Sequence, residues 1–158
     1  MQQAFNDFLE DVLHEAVVIL KDYNIRVRCI SLGKKLGIVE SWKCIQISNT
    51  KNIFYRIGKT KPRKGPRKGQ EYIAIDLVMD GYKKQVFVPL LKKREIIEKK
   101  LGAALERELP NIEATGQYRL KLIIPDDVYY KKNVRYAANQ LAKFIITTRP
   151  YLAELGVV

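Results

Sequence analysis

Apolar residues first recur at the spacing of a helix. Phe5, Phe8, Leu9, Val12, Leu13, Ala16, Val17 and Leu20 form one stripe along residues 3–22, and Asn24 is placed to cap its C-terminal end. From Ile25 the period drops to two. Ile25, Val27 and Cys29 alternate with Arg26, Arg28 and Ile30, Gly33 and Gly37 bracket a turn, and residues 39–48 and 53–57 alternate again. Over residues 71–79, Ile73, Ile75, Leu77 and Met79 take one face, while Tyr72, Ala74, Asp76 and Val78 take the other. Asp80-Gly81 then reads as a tight hairpin turn, with a return strand over residues 82–88.

Pro89 suits the first turn of a helix over residues 90–101, where its missing N–H costs nothing, and Gly102 closes that helix. Residues 104–109 and 117–124 alternate as two more strands, the second stopped by Pro125. Asp126 or Asp127 caps a last helix whose stripe runs through Tyr130, Val134, Ala137, Ala138, Leu141, Ile145 and Thr148, with a break at Arg149-Pro150. The pattern predicts one α+β domain over residues 1–158. Its sheet is antiparallel-rich, with about seven strands, an N-terminal helix, a middle helix and a long C-terminal helix.

Charge changes the picture more than composition does. With 158 residues and 47% hydrophobic content, the chain can bury a core without disulfides or metals. Its net charge is +12, a bias that favours a polyanion. Residues 1–23 hold five acids (Asp7, Glu10, Asp11, Glu15, Asp22) against one base, Lys21, a net of −4, so the rest of the chain carries +16. The bases are densest in residues 59–68, where Lys59, Lys61, Arg63, Lys64, Arg67 and Lys68 stand with no acid among them. Pro62, Pro66 and Gly65 deny that stretch a helix or a central strand. A cationic loop rooted in a strand is expected to meet phosphate, and Arg26, Arg28, Lys34 and Lys35 extend the patch if their strand lies nearby.

Little in the chain points to catalysis. His14 is the only histidine and flanks the first helix's stripe, which gives no second imidazole for a conventional metal site. Three serines (Ser31, Ser41, Ser48) lack a nucleophile-elbow context, and Cys29 and Cys44 read as reduced thiols in strand-like surroundings. A small magnesium-dependent nuclease is the enzymatic alternative, with Glu71, Asp76 and Lys83 as candidates. Metal-assisted hydrolysis needs carboxylates and a lysine on adjoining strand positions. No other cofactor or metal is expected. The N-terminus has no basic leader and no apolar run reaches membrane-span length, so the expectation is a cytoplasmic protein without a membrane partner.

From residue 71 onward the chain resembles domain-of-unknown-function family 4268. The residues that carry the likeness are Tyr72-Ile73-Ala74-Ile75-Asp76-Leu77, the run from Leu90 through Ile97-Glu98 to Leu101-Gly102, and Leu105-Glu106-Arg107-Glu108. A last helix over residues 144–152, with Arg149-Pro150-Tyr151, completes it. Such domains often form the C-terminus of restriction or defence proteins bearing an upstream PD-(D/E)XK-type nuclease module. The resemblance implies a nucleic-acid context and supplies no catalytic residues. The combined expectation is a backbone-directed DNA-binding accessory domain in a defence or mobile-element setting. A protein adaptor or inhibitor, gripping its partner through the acidic first helix, is the other alternative.

Overall fold

A computed structural model describes residues 2–30, 41–125 and 127–158 of the chain. The expected turn at Gly33 and Gly37, the patch residues Lys34 and Lys35, and the alternative cap Asp126 lie outside the described residues.

The first helix, α1 (Gln2–Asp22), buries Phe5, Phe8, Leu9, Val12, Leu13, Ala16 and Leu20 on the expected stripe. It ends as its sequence requires. Asn24 adopts a left-handed φ of 58°, and the Ile25 amide returns to the Leu20 carbonyl at 3.0 Å, closing the orphan end of the helix.

The strands are β1 (Arg28–Ile30), β2 (Trp42–Gln46), β3 (Ile53–Thr60), β4 (Tyr72–Asp80), β5 (Glu106–Arg107) and β6 (Gln117–Ile124). They form one antiparallel sheet in the order β1-β2-β3-β4-β6-β5, six strands among the described residues instead of the expected seven. The missing strand is the return of the hairpin. Gly81 does turn, at φ 77°, but residues Lys83–Phe87 wind into one π-helical turn, with the Val86 and Phe87 amides both bonded to the Tyr82 carbonyl. Val86 and Phe87 are neighbours, yet both are fully buried. Adjacent strand residues point to opposite faces, whereas this turn sends both into the same main core.

Two helices come next instead of one, α2 (Val88–Lys92) and α3 (Arg94–Leu101), broken at Lys93 and closed by Gly102 at φ 70°. The expected strand over residues 104–109 shrinks to β5, because Pro110 opens a short helix, α4 (Pro110–Glu113). The last helical stretch divides into α5 (Asp127–Tyr130) and α6 (Val134–Glu154), with the Asn133 side chain capping the second. Pro150 does not break α6. It removes a single amide, and the turn beyond it is held by Leu152, which is fully buried.

The two faces of the sheet differ. Tyr55, Ile57, Ile73, Ile75, Leu77, Leu120 and Leu122 pack beneath α1 and α6 in the main core. The Tyr55 hydroxyl reaches Thr148 at 2.6 Å, and Thr148 in turn donates to the Phe144 carbonyl, so the polar groups inside this layer are satisfied. The opposite face carries a small apolar cluster of Cys44, Phe54 and Val78 with Ile30 and Trp42. Beside that cluster lies a row of charge.

Candidate nucleic-acid interface

The basic loop, residues 61–71, joins β3 to β4 at the end where Thr60 pairs with Tyr72. It is folded on itself. The amides of Lys68, Gly69 and Gln70 bond the carbonyls of Gly65, Pro62 and Arg67 at 3.0–3.1 Å. It also leans on the far edge of the sheet. Gly65 sits at φ 88° with the Leu109 side chain 3.0 Å from where a Cβ would stand, so no larger residue fits there without strain.

The six expected cations of the loop divide into two groups. Arg67 is a strut: its guanidinium forks onto the Glu106 carboxylate, Nε reaching both oxygens at 2.9 and 3.0 Å, and lies 5.5 Å over the Tyr72 ring. That bond holds the Glu106 carboxyl below the usual carboxylate range. Lys59 turns toward the helix layer, pairs with Glu71 at 3.3 Å and covers the Phe5 ring at 4.6 Å. Lys61, Arg63, Lys64 and Lys68 are exposed and have no ion-pair partner among the described residues.

Arg26 and Arg28 lie far from this loop. They sit at the β1 edge, two and three strand spacings (roughly 10–14 Å) from β3 and β4, which root the loop. The register Arg28↔Gln46 also places them at the opposite ends of the strands, and Arg28 donates to the Ser48 carbonyl.

Beneath the loop, the sheet face opposite α1 and α6 carries the register row Arg56↔Asp76↔Lys121↔Glu106. Asp76 is 1% exposed, with Arg56 at 3.4 Å and Arg119 at 3.6 Å. Burial pushes its carboxyl above the usual range, against the opposing pull of Lys121, Arg119 and Arg56. Buried Glu108 pairs with Lys121 at 2.6 Å and Arg119 at 3.8 Å. Asp76 Oδ1 and Arg119 Nε have no hydrogen-bond partner among the described residues, so the cluster is incompletely satisfied.

The nuclease candidates do not converge. Glu71 lies on the helix side with Lys59, Asp76 faces the other way, and Lys83 is exposed on the π turn beyond the far end of β4. The residues gathered around Asp76 are instead Arg56, Glu108, Arg119 and Lys121. The alternations Glu106-Arg107-Glu108 and Arg119-Leu120-Lys121 were the available signals, but the strand pairing that joins them to Asp76 spans about forty residues of chain.

Loop and sheet enclose a groove of about 650 Å³. Pro62, Arg63 and Lys64 line its loop side, Tyr72, Glu108, Arg119 and Lys121 its floor, and Leu109, Asn111 and Ile112 its far wall. The acids of α1 lie in the helix layer, where Glu10 pairs with Lys43 at 3.1 Å. His14 is exposed at a shallow depression between α1 and α6. Among the described residues no cluster of three or more His, Cys, Asp or Glu could hold a metal ion, and no helix is long and apolar enough to cross a membrane. No protein-family model, curated protein or solved structure matches the chain.

Proposed function

We propose that this domain binds nucleic acid through the phosphate backbone, as an accessory module without chemistry of its own. The observation that carries this reading is a pinned loop whose remaining cations have no ion-pair partner among the described residues. Arg67 and Gly65 fix the loop against β5 and Leu109, while Lys61, Arg63, Lys64 and Lys68 stay exposed. A loop whose backbone is already pinned loses little backbone entropy on meeting phosphate, and backbone contacts need no base code. A setting in DNA-directed defence or restriction is the expectation carried by the resemblance to family 4268 alone, since no family model matches the chain. A magnesium-dependent nuclease is less well supported. Arg56, Arg119 and Lys121 around Asp76 and Glu108 leave that cluster net positive, which opposes entry of a divalent cation.

The test is charge reversal. Lys61→Glu, Arg63→Glu, Lys64→Glu and Lys68→Glu together should abolish retention of labelled DNA in a gel shift while the circular dichroism spectrum stays unchanged. Undiminished retention by that folded variant would remove the loop from the interface. Asp76→Asn should leave plasmid integrity in magnesium as it is in the parent protein. Cleavage by the parent that disappears in this variant would make the protein an enzyme.

A further inference from the structure

We propose that the groove under the loop receives one unpaired nucleotide, which makes the preferred ligand a single strand and not a duplex. This deepens the phosphate-directed reading and rests on it. Contacts to a duplex backbone need only exposed cations, and Lys61 and Lys68, outside the groove lining, already provide them. The groove offers more than that. Its volume of about 650 Å³ lies within the range of clefts that bury a small organic ligand. A phosphate group fills a small part of such a space, and a paired base fills the rest only by leaving its stack, an unpairing cost that an unpaired base does not carry.

The walls match a nucleotide in kind. Pro62, Leu109 and Ile112 present apolar surface to the space, and the Arg67 guanidinium, neutralised by Glu106 and lying 5.5 Å over the Tyr72 ring, backs it with a planar group. Arg63 and Lys64 stand on the loop side without ion-pair partners among the described residues, where a phosphate on either side of the base would lie. Arg119 and Lys121, both paired with Glu108, and the Glu108 carboxylate itself give the floor donors and acceptors. Apolar walls, a polar floor and unpaired cations beside them suit a base with its phosphate. A bare anion would leave the apolar walls without a role.

The experiment compares a single-stranded oligonucleotide with a duplex of the same length by fluorescence anisotropy at one salt concentration. The protein carries Cys29→Ser and Asn111→Cys, measured before and after coupling of N-ethylmaleimide. Asn111 is exposed on the far wall and Cys44 is buried, so the adduct forms at the groove alone and obstructs its far wall. Before coupling, the single strand should bind roughly tenfold or more tighter than the duplex, the scale of one stacked base. Coupling should erase that preference and leave duplex binding in place. Equal affinity for the two forms, a preference that survives the adduct, or loss of duplex binding on coupling would each overturn the inference while the cationic reading stands. Failure of both ligands to bind before coupling would overturn both.

Discussion

The division of the loop cations into paired and unpaired can be read from salt dependence. Each phosphate neutralised by a lysine or arginine contributes about 0.9 to the log–log salt slope on duplex DNA and about 0.7 on a single strand. Six contacts would give a duplex slope of about −5.4, whereas the four unpaired cations give about −3.6. Between 50 and 200 mM salt the smaller slope corresponds to a loss of affinity of roughly 150-fold. Lys64→Ala should therefore lower the slope by about 0.9, and Lys59→Met should leave it unchanged. The second substitution keeps an apolar stem over the Phe5 ring and removes a charge already held by Glu71. Anisotropy titrations at five or six salt concentrations on wild type and both variants provide the measurement. Equal changes in slope for Lys59→Met and Lys64→Ala would refute the idea that internal pairing decides which cations meet phosphate. A wild-type slope near zero would refute phosphate contact altogether.

The packing around the groove leads to three other expected outcomes. Arg67→Ala and Glu106→Gln should each cost about 1 kcal/mol, the upper end for an exposed pair with forked geometry, and lower Tm by about 2–4 °C. Their effects should be non-additive in a double-mutant cycle, and simple additivity would deny the strut. Because Arg67 lowers the Glu106 pKa, the pair's stabilisation is present above the unfolded carboxylate value and is lost as pH falls through the lowered one. Wild type minus Glu106→Gln should show that acid limb. Asp76, with its pKa raised, works in the opposite sense, since its burdened carboxylate is relieved as pH falls through its folded value. It is common to both proteins and cancels in the difference, so a flat difference curve would count against the Arg67–Glu106 bond. Phe87→Ala should cost about 3–5 kcal/mol in denaturant unfolding, because the ring is 1% exposed and stacks on Tyr118 at 4.9 Å. A loss under about 1 kcal/mol would show that the π turn does not anchor α2 to the sheet.

Elements with a long, consistent period were legible in the sequence, and those resting on one local signal were not. α1, β4 and β6 appear where their alternation places them, because many successive positions agree on one face. The Asp80-Gly81 turn also appears, but a turn signal carries no information about the conformation of the residues after it. The adjacent apolar pair Val86-Phe87 packs into one and the same core, which a strand cannot do because its neighbours point to opposite faces. Pro150 misleads in the other direction. A single missing amide costs less than the packing of the turn around Leu152 returns.

The site was legible only to the extent that charge along the chain counts cations, and a count does not assign partners. Lys59 and Lys61 are two residues apart, yet one covers an aromatic ring beside Glu71 and the other faces solvent. What separates them is where the strand ends. Lys59 still obeys the pleat of β3 and points to the helix layer with Ile57, whereas Lys61 has left the ladder. Arg67 is removed from the exposed set by β5, which lies beyond β6 only because the sheet order runs β4-β6-β5. The same crossover brings Glu108, Arg119 and Lys121 beneath the loop and so creates the groove. One topological fact therefore does three things here: it anchors the loop, neutralises one of its cations and provides the floor beneath the rest. A rearrangement of β5 should shift the loop, free the Arg67 charge and reshape the groove together, whereas substitutions at the exposed loop cations change charge alone.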